Sequence, residues 1–521
     1  LRVKLFPPGF PAFLPFKPLR LNPFAPIFGG FRRDGFPLAV RRALWFSHPM
    51  TDDRLDTHQK ALQINLDPTK YGVFAEIGAG QEVARWFFRV GGASGTIAKS
   101  ISAYDMVVSD AIYGHNERYV SKARLLAMLE REYALLVERL VSKRGATTKF
   151  FVFADTVTAK SYSRRDETHG WMGIRFQTEP GGPPNDILMH VRMWDRENLQ
   201  QQEAIGILGV NLVHAALYTG GDTSEVLQGL IDNLSIARIE VDVIQFEGPA
   251  FERVDNRLIS LQLVERGLTN AAMFTPDGEI VQPAEQLYKR PVLVERGSFR
   301  PPTKVTVDMV RYAQAQFVQE PNVAGEDVLV VMEMTLKNLN VEGKINHRDF
   351  IDRAELLGTL GHPVLITNYG EFFRLAGYMF RYTKLPIGIV MGVPTLKELF
   401  DEKYYSELEG GILESFGRLF RNELKLYVYP YKDAKSGAII TAGNLRVAPN
   451  LQHLYRHLME NHHIQGMRDI DEANLNIFSR DALKQIQSGQ PGWENAVPVQ
   501  VAEMIKQRNL LGYQQPGTAA L

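Results

Sequence analysis

The chain has 521 residues, no cysteine, 45% hydrophobic and 23% charged residues, and a formal net charge of 0. That length exceeds one ordinary domain, and the lack of cysteine excludes disulfides and any thiolate-ligated zinc or iron–sulfur centre. No apolar run reaches the roughly 20 residues that cross a bilayer. The neutral total conceals a division, because residues 1–49 hold eight Lys/Arg against one acid, Asp34. The rest therefore carries 51 basic and 58 acidic residues, a net of −7. A mildly acidic body argues against a nucleic-acid partner. The expectation is a cytoplasmic protein with no membrane partner, and nothing in it opposes a homo-oligomer.

In chain order, "LRVKLFPPGFPAFLPFKPLRLNPFAPIFGGF" comes first and has neither helical nor strand period. Nine of the 28 prolines precede Met50. They interrupt every apolar run, so no signal-peptide core forms, and the composition is that of a Pro-rich linker. Met50 opens "MTDDRLDTHQKALQINLD", which reads as an ordinary polar N-terminus. Residues 1–49 are expected to be disordered or not native, translated from an upstream start; a partner-binding or membrane-seeking arm is the other reading.

Residues 50–285 are expected to form a helical and then mixed α+β region. Over 55–145 helices dominate; Leu125, Leu126, Leu129, Leu136 and Leu140 recur near helical spacing. Strand-like runs follow at 149–159, 170–179 and 186–195, then helices at 197–218 and 224–234, then a strand at 237–248. From 286 to 521 the rhythm is regular. "PVLVE", "VLVVMEM", "PVLITN", "PIGIVMG" and "LKLYVYP" alternate with amphipathic helices. Strands that are apolar throughout, separated by helices, predict a parallel sheet covered on both faces, closed by helices at the C-terminus. The fold class is α/β.

Several spellings invite a chemical reading. Thr359-Leu360-Gly361-His362 matches the [HT]-x-G-H signature of nucleotidyltransferases. Here a helix precedes it and the strand "PVLIT" follows, the reverse of the order that puts the histidine at a helix N-terminus. Gly361 with Pro363 behind it predicts a helix C-terminus instead. "VFAEIGAGQEVARW" resembles the glycine turn of methyltransferases, but Gln81-Glu82 stand where a third glycine belongs after Gly78 and Gly80. "GGASGTIAKS" lacks P-loop spacing; Arg85, Arg89 and Lys99 around it could hold an anion. His453 and His457 share a helix face without a convincing third metal ligand. Asp155 ends "FFVFAD" without the second Asp of a phosphatase loop. Glu333, inside the apolar run "VLVVMEMTL", either pairs with a cation or has a raised pKa, and is the one candidate catalytic acid. No metal site and no particular cofactor are indicated.

Ligands of open parallel sheets bind outside the carboxyl ends of the strands. Those ends supply Thr367, Asn368 and Tyr369, then Glu371 and Arg374 on the next helix, with Glu295 and Arg296 from an earlier strand and Gly392 from a later one. Thr367, Asn368, Glu371, Arg374, Glu295 and Arg296 are the expected ligand-binding residues, suited to a small anionic ligand. Asn368 and Glu371 could equally form a helix capping box.

The phrases "FAEIGAGQEVARWFFRVGGASGTIAKSISAYDM", "ITNYGEFFRLAGYMFRYT" and "FDEKYYSELEGGILESFGRLF" carry a resemblance, over about 50–445, to a group of uncharacterised bacterial cytosolic proteins. Some of that group bear the label nicotinate-nucleotide adenylyltransferase or TonB-dependent receptor. The resemblance implies a bacterial cytosolic protein and no catalytic residue; the receptor label would require an outer-membrane barrel of alternating strands. The functional expectation is a nucleotide or other phosphorylated small molecule bound at the carboxyl edge of the sheet, by a transferase if the protein is an enzyme. The alternative is a noncatalytic scaffold or partner-binding protein.

Overall fold

The computed structural model describes residues 55–78, 81–158, 168–341 and 343–514. They belong to one compact unit, Arg54–Leu521. The expectation for residues 1–49 lies outside the described residues. The architecture is α/β, built on two large sheets.

The first sheet has the order β2-β1-β3-β4-β5-β6. After α1 (Thr57–Asn65), β1 (Lys70–Ile77) leads through α2 (Glu82–Val90) to β2 (Ile97–Ile101). Helices α3 (Met106–Tyr113) and α4 (Lys122–Arg144) then carry the chain to β3 (Lys149–Val157) on the other side of β1. Both pairings of β1 are parallel. The remainder is an antiparallel run of β4 (Thr168–Gln177), β5 (Pro184–Met193) and, after α5 (Asn198–Tyr218) and α6 (Thr223–Gly229), β6 (Ile239–Glu247). The β1-to-β2 and β2-to-β3 crossovers run in opposite directions across the sheet, so right-handed connections put them on opposite faces. Accordingly Val83, Ala84 and Phe87 of α2 pack with Phe74 and Phe153 on one face, and Leu125, Met128 and Leu129 of α4 pack with Val73 and Val152 on the other. Ser121 starts α4 by accepting from the Arg124 amide. Helix α5 is buried on most of its circumference, which explains its near-continuous apolar sequence.

The mainly helical expectation for 55–145 missed β1 and β2. Nearly all of β1 is buried, so it shows no alternation to set it apart from a short buried helix.

After α7 (Asn256–Glu265), the second sheet begins with an antiparallel edge, β7 (Ala271–Phe274) and β8 (Ile280–Val281). Then come α8 (Pro283–Leu287), β9 (Val292–Arg296), α9 (Lys304–Phe317), β10 (Leu329–Thr335) and α10 (Leu336–Leu339). A small hairpin, β11 (Asn340–Val341) and β12 (Lys344–Ile345), precedes α11 (His347–Gly358). Next are β13 (Val364–Thr367), α12 (Phe372–Tyr382), β14 (Ile387–Gly392), α13 (Val393–Leu399), α14 (Gly411–Leu419) and β15 (Leu424–Tyr429). A second hairpin, β16 (Tyr431–Lys432) and β17 (Ile439–Ile440), is followed by α15 (Gln452–Glu460), β18 (Ile464–Gly466), α16 (Ser479–Ser488) and α17 (Val499–Arg508).

The order is β18-β15-β14-β9-β10-β13-β7-β8. Its first parallel strand, β9, is central. The chain builds outward through β10 to β13, returns to β14 beside β9, and builds outward again through β15 to β18. This is the doubly wound arrangement third-second-first-fourth-fifth-sixth. Val310, Ala313 and Phe317 of α9 and Phe350 and Leu357 of α11 cover one face; α12 to α15 cover the other. The five apolar runs read from the sequence are β9, β10, β13, β14 and β15. Strand β18 has three residues and lay inside the segment expected to close the chain as helices.

Candidate functional site

In a doubly wound sheet the crevice opens where the winding reverses, here between the carboxyl ends of β9 and β14. Glu295 and Arg296 end β9, and Gly392 ends β14. Successive strand residues point to opposite faces, and this splits the expected ligand set. Arg296 joins Glu333, its register partner on β10. Its Nε lies 2.5 Å from Glu333 Oε2 and its Nη2 3.0 Å from Oε1. Thr367 Oγ1 donates to Glu333 Oε1 at 2.5 Å. The guanidinium also donates to the carbonyls of Gly370 at 2.7 Å and Tyr369 at 2.9 Å, and lies 4.4 Å from the Phe372 ring centroid. Glu333 is fully buried with both oxygens engaged. The trio is a clamp that fixes the turn from β13 into α12, which leaves neither Glu333 nor most of the Arg296 donors for a ligand.

Glu295 faces the other way, buried, with Oε2 lacking a partner; burial pushes its carboxyl well above the ordinary value. Asn368 is exposed, and its backbone amide donates to the Asn270 carbonyl. The N-cap of α12 is Glu371, without a side-chain cap bond, so no Asn368–Glu371 capping box exists. Gly370 lengthens the turn and moves Asn368 off the helix. Arg374 pairs with Glu371 at 2.9 Å on the surface.

Beside the clamp is a cleft of about 310 Å³ lined by Lys337, Gly370, Glu371, Phe372, Thr395, Glu398, Leu399, Tyr404 and Tyr405. These residues follow the carboxyl ends of β10, β13 and β14. The Lys337 ammonium lies 5.5 Å from the Tyr404 ring centroid and forms no ion pair with a carboxylate among the described residues. Tyr405 donates to the Leu399 carbonyl at 2.8 Å, and burial pushes its phenol up to about 12. A second cleft of about 850 Å³ shares Glu398 and extends past Lys397, Arg446, Tyr431 and Phe478, toward the hairpin after β15. The two clefts share Glu398, with Lys337 lining the first and Lys397 and Arg446 the second.

The first sheet brings together two spellings that are remote in sequence. Glu76, from the glycine turn, and Asp155 are register partners on β1 and β3, at that sheet's own reversal of winding. Both are buried. Glu76 Oε1 accepts from the Ala84 amide at 2.9 Å, while Glu76 Oε2 and Asp155 Oδ1 have no partner. Burial pushes the Glu76 carboxyl up to about 8, and burial with the neighbouring Glu76 charge raises Asp155 too. Gly78 has φ 104°, and a Cβ there would come 1.8 Å from the Val157 carbonyl oxygen. Glycine is thus required by close strand packing, whatever binds nearby. Gly80 lies outside the described residues.

The other spellings do not converge. Lys99 pairs with buried Glu132, Arg85 with Glu82, and Arg89 stacks on Trp86, so no joint anion site forms. Helix α11 ends at Gly358, Gly361 has φ 77°, and β13 starts two residues after His362. Burial holds the His362 imidazole below its ordinary value. His453 and His457 are exposed. Among the described residues no group of three His, Cys, Asp or Glu side chains could hold a metal ion, and no helix is long and apolar enough to cross a membrane. Sequence reasoning passed over His169, His190 and Asp242, which meet across β4, β5 and β6; a single strand's spelling holds no trace of such cross-strand contact.

No family model matches the chain, and no curated protein matches it. Solved structures similar to parts of it include the competence/damage inducible protein CihA from Agrobacterium tumefaciens, at 17% identity over 32% of this chain and 98% of that one, with a TM-score of 0.24. A competence-damaged (CinA) superfamily protein from Klebsiella pneumoniae is 12% identical over 32% of this chain and 99% of its own, also with a TM-score of 0.24. One from Escherichia coli is 14% identical over 31% and 86%, with a TM-score of 0.22.

Proposed function

We propose that this protein binds a nucleotide or another phosphorylated small molecule at the carboxyl edge of its doubly wound sheet. The observation that carries the reading is the cleft beside the β9–β14 reversal, with Lys337 unpaired by any carboxylate at its wall. An ammonium that forms no ion pair among the described residues can donate to phosphate oxygens, Thr395 adds a hydroxyl, and Tyr404 adds an aromatic face for a base. Glu371 and Glu398 repel a bare polyanion, so the reading favours a monophosphate ester with a neutral or cationic remainder. Ligand sites concentrate at such reversals. If the protein is catalytic, this chemistry is that of a cytoplasmic transferase acting on a nucleotide or phosphorylated metabolite. A thermal-shift series with inorganic phosphate, ribose 5-phosphate and AMP tests it. A ligand at 100 times its dissociation constant stabilises by about 2.7 kcal/mol, or roughly 3 °C for a unit of this size. No shift with any of the three, up to millimolar concentration, would reject the reading.

One observation favours the noncatalytic alternative. Tyr104, Met106, Val107 and Val108, at the start of α3, are 69%, 58%, 77% and 48% exposed. Four exposed apolar side chains so close in sequence suit a second copy of this chain. Val107→Asp would abolish self-association measured by light scattering on this reading, and an unchanged mass would reject it.

A further inference from the structure

The larger cleft at the carboxyl edge of the second sheet, about 850 Å³, has a chemistry of its own. Two stretches of chain supply most of its lining: 393–402, which begins with α13 after β14, and 431–448, from the β16–β17 hairpin onward. Both stretches are held in place by bonds of their own. Asn450 Nδ2 donates to Glu402 Oε2 at 2.9 Å and ties one to the other. The Thr441 amide donates to Asn444 Oδ1 at 2.8 Å, and the Tyr455 hydroxyl to the Ala442 carbonyl at 2.6 Å. The cleft is therefore built before any ligand arrives.

Its lining is mostly apolar. Val393 and Phe400 are buried, Ile440 and Leu445 are half-buried, and Phe478 turns part of its ring to solvent. Five charged side chains join them, and they are not equivalent. Asp401 pairs with Lys403 at 2.6 Å, and Glu402 is engaged by Asn450. Lys397, Glu398 and Arg446 are exposed and form no ion pair among the described residues. Lys397 and Glu398 are consecutive on α13, and consecutive helix positions do not face each other. The cleft thus offers one unmatched carboxylate and two unmatched cations beside apolar walls. A purely apolar ligand would leave all three charges unanswered, and a ligand with anionic groups alone would meet Glu398. A molecule with an apolar body, an ammonium and a carboxylate answers every one of these features.

We propose that this cleft binds a short apolar peptide with free ends, its ammonium on Glu398, its carboxylate on Arg446 and its side chains on the apolar walls. Arginine suits the carboxylate because its planar fork can donate two parallel N–H bonds to the two oxygens. Lys397 adds a second positive charge at that end. The volume sets the size of the ligand: clefts of this order hold molecules well beyond a single amino acid, so the class is a peptide of two or three residues. Glu398 lines the first cleft as well, but the proposal stands whether or not a phosphate binds beside Lys337.

Isothermal titration of L-leucyl-L-phenylalanine into the full chain at pH 7 tests it. Binding should be saturable, and the N-acetylated dipeptide, its C-terminal amide and free L-phenylalanine should each bind at least tenfold more weakly to the unaltered protein. Glu398→Gln and Arg446→Gln should each weaken the dipeptide at least tenfold with unchanged circular dichroism. The losses should also be coupled end to end: Glu398→Gln should not weaken the acetylated peptide further, and Arg446→Gln should not weaken the amide further. No saturable binding up to millimolar concentration, or a loss smaller than tenfold on acetylation, on amidation or in either variant, would overturn the proposal. Free L-phenylalanine binding as tightly as the dipeptide would overturn the assignment to a peptide.

Discussion

The Glu76–Asp155 pair gives a stability effect whose sign and size follow from its burial. An ordinary glutamate ionises near 4.5, and burial pushes Glu76 up to about 8. In the unfolded chain Glu76 loses its proton near the ordinary value, whereas in the folded chain it keeps the proton until about pH 8. Between those values the folded state binds more protons, so stability falls as pH rises, by about 1.4 kcal/mol per pH unit for one proton. The loss is absent below about 4.5, complete above about 8, and totals roughly 5 kcal/mol across the window. Asp155 moves in the same direction, so the two titrate as a pair. Glu76→Gln keeps a side-chain oxygen for the Ala84 amide and removes the charge. Urea unfolding at pH 5, 6.5 and 8 should show the unaltered protein weakening toward pH 8. Glu76→Gln should lose about one proton's worth of that slope and be the more stable protein at pH 8. Parallel pH dependences for the two proteins would refute the reasoning.

Arg296→Ala leaves Glu333 buried without its cation and should cost about 3–5 kcal/mol in urea unfolding, whereas Arg374→Ala breaks an exposed pair and should cost less than about 1 kcal/mol. Gly78→Ala places a methyl group against the Val157 carbonyl at a positive φ and should cost at least about 2 kcal/mol; a neutral outcome would show that β1 and β3 separate readily at that end. Burial lowers His169 and His214 to about 4. The unfolded chain then takes up protons below about 6.5 that the folded chain refuses, and stability should fall from pH 6.5 toward 4. His214→Gln should flatten that acid limb, measured by melting temperature at pH 4.5 and 6.5.

The second sheet was legible because β9, β10, β13, β14 and β15 are apolar on both faces and each is followed by an amphipathic helix. Its strand order was not legible, since nothing local in "PIGIVMG" says that β14 returns to pair with β9. The site residues show the same division. Thr367, Arg296 and Glu333 were singled out for lying at strand ends or in an apolar strand, and the structure joins them in a clamp. Glu295, adjacent to Arg296 in sequence, is lost to that cluster because strand residues alternate in direction. Lys337 was overlooked: it follows a strand end like the others, but "TLKNL" offers no motif. Glu76 and Asp155 were each noticed for unrelated spellings, and their pairing required the register of β1 on β3. The contact of His169 and Asp242 with His190 depends on three strands and a bulge, so it had no linear signature at all.

The central claim is that an anionic ligand sits at the carboxyl edge of the second sheet, beside Lys337. Isothermal titration of AMP into the unaltered chain, Lys337→Gln and His169→Gln tests it directly. The account predicts saturable binding to the unaltered chain, at least tenfold weaker binding to Lys337→Gln, a loss of about 1.4 kcal/mol or more, and unchanged affinity in His169→Gln. Equal affinity in the unaltered chain and Lys337→Gln, or loss of binding in His169→Gln alone, would contradict it and move the ligand away from the cleft.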